Sequence, residues 1–196
     1  IEYEVFSNCT GFNSQLTLPT EIECIEYSAF YGCNHLTGDL IIPSKVTSIE
    51  YNTFAKCSAL NGELTLPSSL QTIGNQSFSG CSGLISDLTI PSELKALGMR
   101  AFEGWRKLNG KLTLNGKFTT IEESTFSGCS SLTGDLNIPD QVTSIGKSAF
   151  RTCSKLTGNL HLPSCLKTIG IDAFFQCKFT GDLSIPEGVT TISSQA

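Results

Sequence analysis

Phenylalanine stands at positions 6, 30, 54, 78, 102, 126, 150 and 174, an unbroken spacing of 24 along a chain of 196 residues. Self-similarity at one fixed period means that a single supersecondary unit is stacked on copies of itself. Cysteine keeps the same step at 9, 33, 57, 81, 129, 153 and 177, with Trp105 in the one vacant slot. Proline recurs at 19, 43, 67, 91, 139 and 163, and Asn115 takes the missing place. Leucine fills 16, 40, 64, 88, 112, 136, 160 and 183, where the last step is 23 because one residue is lost between Cys177 and Phe179.

Within one unit, residues 39–43 alternate in and out at period two until Pro43, which has no donor for a ladder, stops the strand. Val46 and Ile49 point inward again, marking a second short extended or turned segment. Residues 28–33 read as a single helical turn that Gly32 closes. Each coil is therefore expected to run strand, bend, short helix. A lone coil buries too few apolar side chains to offset the ordering of its backbone, so stability must be shared along the array as a short curved rod.

Charged residues make up 16% and the net charge is −5. No apolar run approaches the roughly 18 residues of a spanning helix, so a charge-driven disordered chain and a membrane-embedded one are both excluded as readings. The acidic balance lacks the global basic field of nucleic-acid binders. Neither end reads as a signal peptide or anchor, and residues 1–196 are expected to form a single solenoid cut from a longer repeat array.

The unit Leu-Thr-Gly-Asp-Leu-x-Ile-Pro-x-x-Val-Thr-Ser-Ile-Gly-x-x-Ala-Phe-x-x-Cys, at 132–153, closely resembles the BspA-like class of leucine-rich repeats over essentially the whole chain. The resemblance implies an α/β repeat fold: a leucine-rich-repeat solenoid of about eight 24-residue coils, with a parallel β-sheet on one face and short helical turns on the other. It also implies a surface protein adhering to host cells or matrix proteins. The chain departs from that class in its 24-residue unit, in Trp105 and Asn115, and in lacking recognisable caps.

Equivalent cysteines of successive coils point the same inward way, so the row reads as free core thiols, and without Cys-x-x-Cys spacing or an accompanying histidine it is not a zinc site. Cys24 and Cys165 fall outside the row, and Cys165, where other coils carry Lys45, Ser69, Glu93, Lys117 and Gln141, is the candidate exposed thiol. His35 and His161 lie more than five coils apart and build no catalytic pair. No enzyme, no metal and no cofactor is expected.

The row Asp39, Glu63, Asp87 and Asp135, continued at Asp182 and interrupted by Lys111 and Asn159, is the solvated side of a strand and a candidate binding row for a basic partner. The column Thr17, Ile41, Thr65, Thr89, Thr113, Asn137, His161 and Ser184 is too broken for ice binding. Between 95 and 117, Lys95, Arg100, Arg106, Lys107, Lys111 and Lys117 against Glu103 give +5, leaving −10 elsewhere. Arg100, Trp105, Arg106, Lys107 and Lys111 are therefore the candidate anchors of a protein-recognition patch, set against a simply drifted repeat. Asn75 in Asn-Gln-Ser is the reasonable sequon acceptor, since Asn8 precedes the buried cysteine row.

The function expected is a non-enzymatic protein-binding module of a cell-surface or secreted adhesin, with a host surface or matrix protein as partner and no nucleic acid. The alternative is an intracellular structural scaffold whose ends stack on further repeats or subunits, a setting that suits unpaired thiols.

Overall fold

A computed structural model describes residues 1–196. Six coils carry two short strands each: β1 (Leu40–Ile41) and β2 (Ser48–Ile49), β3 (Leu64–Thr65) and β4 (Thr72–Ile73), β5 (Leu88–Ile90) and β6 (Ala96–Leu97), β7 (Leu112–Leu114) and β8 (Thr120–Ile121), β9 (Leu136–Asn137) and β10 (Ser144–Ile145), β11 (Leu160–His161) and β12 (Thr168–Ile169). β13 (Thr191–Ile192) ends the series. All pairing is parallel, coil on coil, at a register of 24 residues up to β12. The first strands form one ladder of separate pairs, β1–β3, β5–β7 and β9–β11, and the second strands form another as β2–β4–β6 and β8–β10–β12–β13.

The expected eight coils are six complete ones. The first coil pairs only through single bridges, Gln15 with Thr37 and Ile25 with Ile49. The last coil, one residue short, keeps only β13.

The expected helical turns are absent as helices. Two residues in each coil take the left-handed conformation four apart, for example Ser28 (φ 56°) with Gly32 (φ 70°), and Ser148 (φ 55°) with Thr152 (φ 60°). This reversal points alternate N–H groups at the next coil rather than up a helix: Ser28, Phe30 and Gly32 donate to the carbonyls of Tyr51, Thr53 and Ala55 at 2.9, 2.9 and 2.8 Å. The segment that looked like one helical turn is thus a third rung-to-rung ladder made of turns. Of 100 backbone hydrogen bonds only 9 lie within strands, so turns hold most of this solenoid.

Thr152 is β-branched and sits where other coils place Gly32, Gly80, Gly104 and Gly128. Relief of its left-handed strain outweighs the extra chain entropy of glycine, so Thr152→Gly is expected to stabilise the protein by about 0.5–1 kcal/mol. Urea titration of the two proteins checks it, and an unchanged or lower midpoint contradicts it.

The core is a file of stacked rings. From Phe30 to Phe174, successive phenylalanines lie 5.3–5.6 Å apart with planes within 11°. Beside them each row cysteine from Cys33 on donates its S–H to the carbonyl of the phenylalanine 27 residues earlier, at 3.0–3.2 Å. That donor role selects a small inward thiol at these coils. Trp105 performs the same task, its indole Nε1–H reaching the Phe78 carbonyl at 2.7 Å while the ring packs edge-on against Phe102.

Coils also alternate in pairs. Gly38, Ser86 and Gly134 are left-handed, and one residue on, Asp39, Asp87 and Asp135 accept the N–H of Glu63, Lys111 and Asn159 at 2.9, 2.7 and 2.6 Å. The intervening Gly62, Gly110 and Gly158 have no room for a Cβ because the same aspartate Oδ1 atoms lie against them. The structural repeat of the first ladder is therefore 48 residues, which is why it breaks into pairs.

Candidate functional site: a groove where one ladder opens

Proline supplies no N–H, so in regular coils the first strand stops and a tight corner forms, with Val46, Leu70, Leu94, Val142 and Leu166 donating to the carbonyl of the proline three residues before at 3.0–3.1 Å. Asn115 has the N–H that proline lacks and donates it to the Ile90 carbonyl at 3.3 Å, while Lys117 donates to Leu94 at 2.6 Å. The β5–β7 pairing accordingly runs to three residues where its neighbours have two. The corner is redrawn, bulky Phe118 fills the slot of Val46 and Leu70, and β6 no longer pairs with β8.

A groove of about 630 Å³ lies over this opening. Gly74 and Gly98 leave its wall low; Tyr51, Asn75 and Met99 form one side, and Lys95, Phe118 and Glu122 contribute from the other coils. Tyr51 and Met99 are 49% and 37% exposed, large apolar side chains that nothing in the chain covers. Asn75, between them in the repeat, spends its Oδ1 on the Met99 N–H at 2.8 Å. The arrangement offers apolar contact, one cation and carboxylates; it holds no clustered nucleophile and base.

The residues singled out from sequence fare unevenly. Trp105 is fully buried and is corrected from a surface anchor to a core residue, because the indole replaces a thiol inside the coil. Residues 95–117 make one lap of the solenoid, so their cations encircle it rather than forming one patch. Lys95 borders the groove, Arg100 follows Met99 and pairs with Glu123 at 3.5 Å, and Lys117 pairs with Glu93 at 2.7 Å and lowers that carboxyl below its usual range. Arg106 and Lys107 lie in the exposed turn after Trp105, and Lys111 at the foot of β7. Glu63, Asp87 and Asp135 are exposed and Asp39 is half-buried; the three aspartates also brace the next coil through the bonds above. Cys165 and Cys24 are exposed thiols. Asn75 is exposed, but Ser77 of its sequon is buried.

Sequence reasoning passed over the tyrosines. Tyr3, Tyr27 and Tyr51 are 47%, 46% and 49% exposed and occupy one column at the 24-residue step, which Asn75 and Met99 continue. Reading every residue type for the period, rather than the apolar core types alone, reveals it.

The model of the BspA type leucine rich repeat region matches residues 1–109 and 107–196, in 6 copies. The chain belongs to this family. Among solved structures it is similar to a leucine-rich repeat protein of Bacteroides ovatus, with 28% identity and a TM-score of 0.84 over 97% of this chain and 47% of that one. A leucine-rich repeat protein of Eubacterium ventriosum shares 28% identity and a TM-score of 0.63, covering 78% of this chain and 40% of that one. The T. pallidum leucine rich repeat protein shares 27%, with a TM-score of 0.59 over 74% of this chain and 78% of the other. The BspA-type chain therefore spans less than half the length of the first two. No curated protein matches it. No helix is long and apolar enough to cross a membrane.

Proposed function

We propose that this segment is a non-enzymatic protein-binding module of a cell-surface or secreted protein, and that the groove at the proline-less coil holds its partner. The supporting observation is the pair Tyr51 and Met99, exposed beside the opening between β6 and β8, where one repeat departs from all the others. The first ladder breaks at every second step through its aspartate braces, but from β2 to β13 the second ladder breaks only here, and a recognition groove needs apolar anchors in a concave place. The partner class is a host surface or matrix protein, in keeping with a BspA-type array. Arg100 beside Met99 adds a charged contact to the apolar ones, and Arg106, Lys107, Lys111 and the row Asp39, Glu63, Asp87 and Asp135 extend the contact over neighbouring faces.

Beads coated with the protein are expected to attach to matrix-coated surfaces or epithelial cells, and Tyr51→Ser with Met99→Ser to cut attachment about tenfold, at the usual scale of an anchor residue. Equal attachment by the double variant removes the groove. Labelling of intact source cells with a membrane-impermeant reagent tests the location: labelled peptides support the surface reading, and labelling only after lysis supports an intracellular scaffold instead. The scaffold reading has its own support in the unpaired thiols and in the exposed apolar side chains at the two ends, Val5 and Phe12 at one and Leu183 and Ile192 at the other, which suit end-to-end stacking.

A further inference from the structure

The tyrosine column has a second column beside it. Glu2, Glu26 and Glu50 immediately precede Tyr3, Tyr27 and Tyr51, so three successive coils present a carboxylate and a phenol ring together. The Tyr3 and Tyr27 rings lie 4.1 Å apart between centroids, and Tyr51 continues their column on the next coil. Two of the carboxylates are oriented from within: Glu26 Oε2 accepts the Tyr3 N–H at 3.1 Å, and Glu50 Oε1 accepts the Ser48 hydroxyl at 2.5 Å. None of the chain's four ion pairs uses Glu2, Glu26 or Glu50. Residues 1–51 contain seven carboxylates against Lys45, a net −6, while the rest of the chain sums to +1. The net negative charge of the molecule thus comes from the coils that carry the aromatic strip, and three of their seven carboxylates adjoin its tyrosines.

We propose that the column Tyr3–Tyr27–Tyr51, with Glu2, Glu26 and Glu50, is a docking surface for an extended Lys- or Arg-rich polypeptide segment. A cation is attracted to the face of a phenol ring and to a carboxylate at once, and the strip provides both at each coil. The spacing agrees: three coils span about 10 Å along the solenoid, and alternate side chains of an extended segment recur about every 7 Å, so two cationic side chains fit the strip. Carboxylates without a cation of their own, stacked coil on coil, repel one another, and a basic segment relieves that repulsion. The strip makes no claim on what fills the groove beyond Tyr51.

A fluorescein-labelled octapeptide of alternating lysine and serine is the probe, with the glutamate–serine octapeptide as control, read by anisotropy at 50 and 300 mM salt, values on either side of physiological screening. The basic peptide is expected to bind and the acidic one not. Tyr3→Ala with Tyr27→Ala should weaken binding about fivefold without changing its salt dependence, and Glu2→Gln with Glu26→Gln should weaken it about fivefold at low salt and flatten that dependence. The glutamine keeps the acceptor for the Tyr3 N–H. Asp140→Asn with Glu187→Gln, exposed carboxylates three coils or more away, should leave binding unchanged. No binding of the basic peptide, indifference to the tyrosine pair, or equal loss with the distant carboxylate pair overturns the proposal. The variants at Tyr3, Tyr27, Glu2 and Glu26 leave Tyr51 and Met99 in place and should leave bead attachment through the groove intact, so the two proposals fail separately.

Discussion

Above about pH 9 the solenoid is expected to lose stability steeply, and its buried thiols are the cause. Burial pushes Cys81 and Cys129 up to about 12 from an ordinary value of 9.0, and desolvation raises Cys57 and Cys33 as well, while Cys153 is raised by its hydrogen bond with Cys177 and then by burial. In the unfolded chain Cys81 and Cys129 ionise near 9; in the folded one they keep their protons to about 12. Below 9 both states hold the proton and the stabilisation is complete. Between 9 and 12 the unfolded state binds fewer protons, so stability falls as pH rises, by about 1.4 kcal/mol per pH unit for each thiol. By pH 10.5 Cys81 and Cys129 together cost about 4 kcal/mol, a large share of the roughly 5–15 kcal/mol of a whole domain. Urea unfolding under reducing conditions, repeated from pH 8 to 10.5, measures the slope. Cys81→Ala with Cys129→Ala should make it shallower by about 2.7 kcal/mol per pH unit, because lysine and tyrosine titrations are common to both proteins. Equal slopes would show that the thiols ionise in place.

The same thiols show how far the sequence carries. Their row, the phenylalanine file and the proline corners were legible because a stacked repeat writes each inward position once per coil, and period alone identifies it. What the period conceals is direction. Residues 28–33 have helix-compatible composition, yet Ser28 and Gly32 turn left-handed to donate sideways, a choice made by the neighbouring coil's carbonyls and invisible within one coil. The pairing of coils over 48 residues is written in the aspartates at 39, 87 and 135, but reads as a broken row until their Oδ1 atoms are seen on the next coil's N–H groups. In the sequence Trp105 stands out for its rarity and reads as an anchor, although its rarity has the opposite cause: a large ring replaces a thiol and keeps that thiol's hydrogen bond. The substitution of Asn115 for proline was equally visible; that it opens the second ladder follows only from where its N–H goes.

That opening makes Phe102 the most consequential side chain to remove. Elsewhere neighbouring coils are joined by the second ladder, the turn ladder and the ring file together, but between the coils of β6 and β8 the second ladder is missing. Phe102 is fully buried, stacked 5.5 Å from both Phe78 and Phe126, and it supports Trp105 at 5.1 Å. Phe102→Ala is expected to cost about 3–5 kcal/mol from lost burial and the cavity left behind. In a stacked-repeat protein that loss falls on one interface rather than on the molecule as a whole, so the two halves should uncouple. Denaturant unfolding is expected to change from one transition to two, and hydrogen exchange to show residues before β6 and after β8 opening at different free energies. The same substitution at Phe54, where β2, β4 and β6 are continuous, should lower stability by a similar amount while the unfolding remains a single step. A single transition in both variants would mean that the remaining ladders bind the two halves as firmly as any other neighbours, and that the opening at Asn115 weakens only the surface above it.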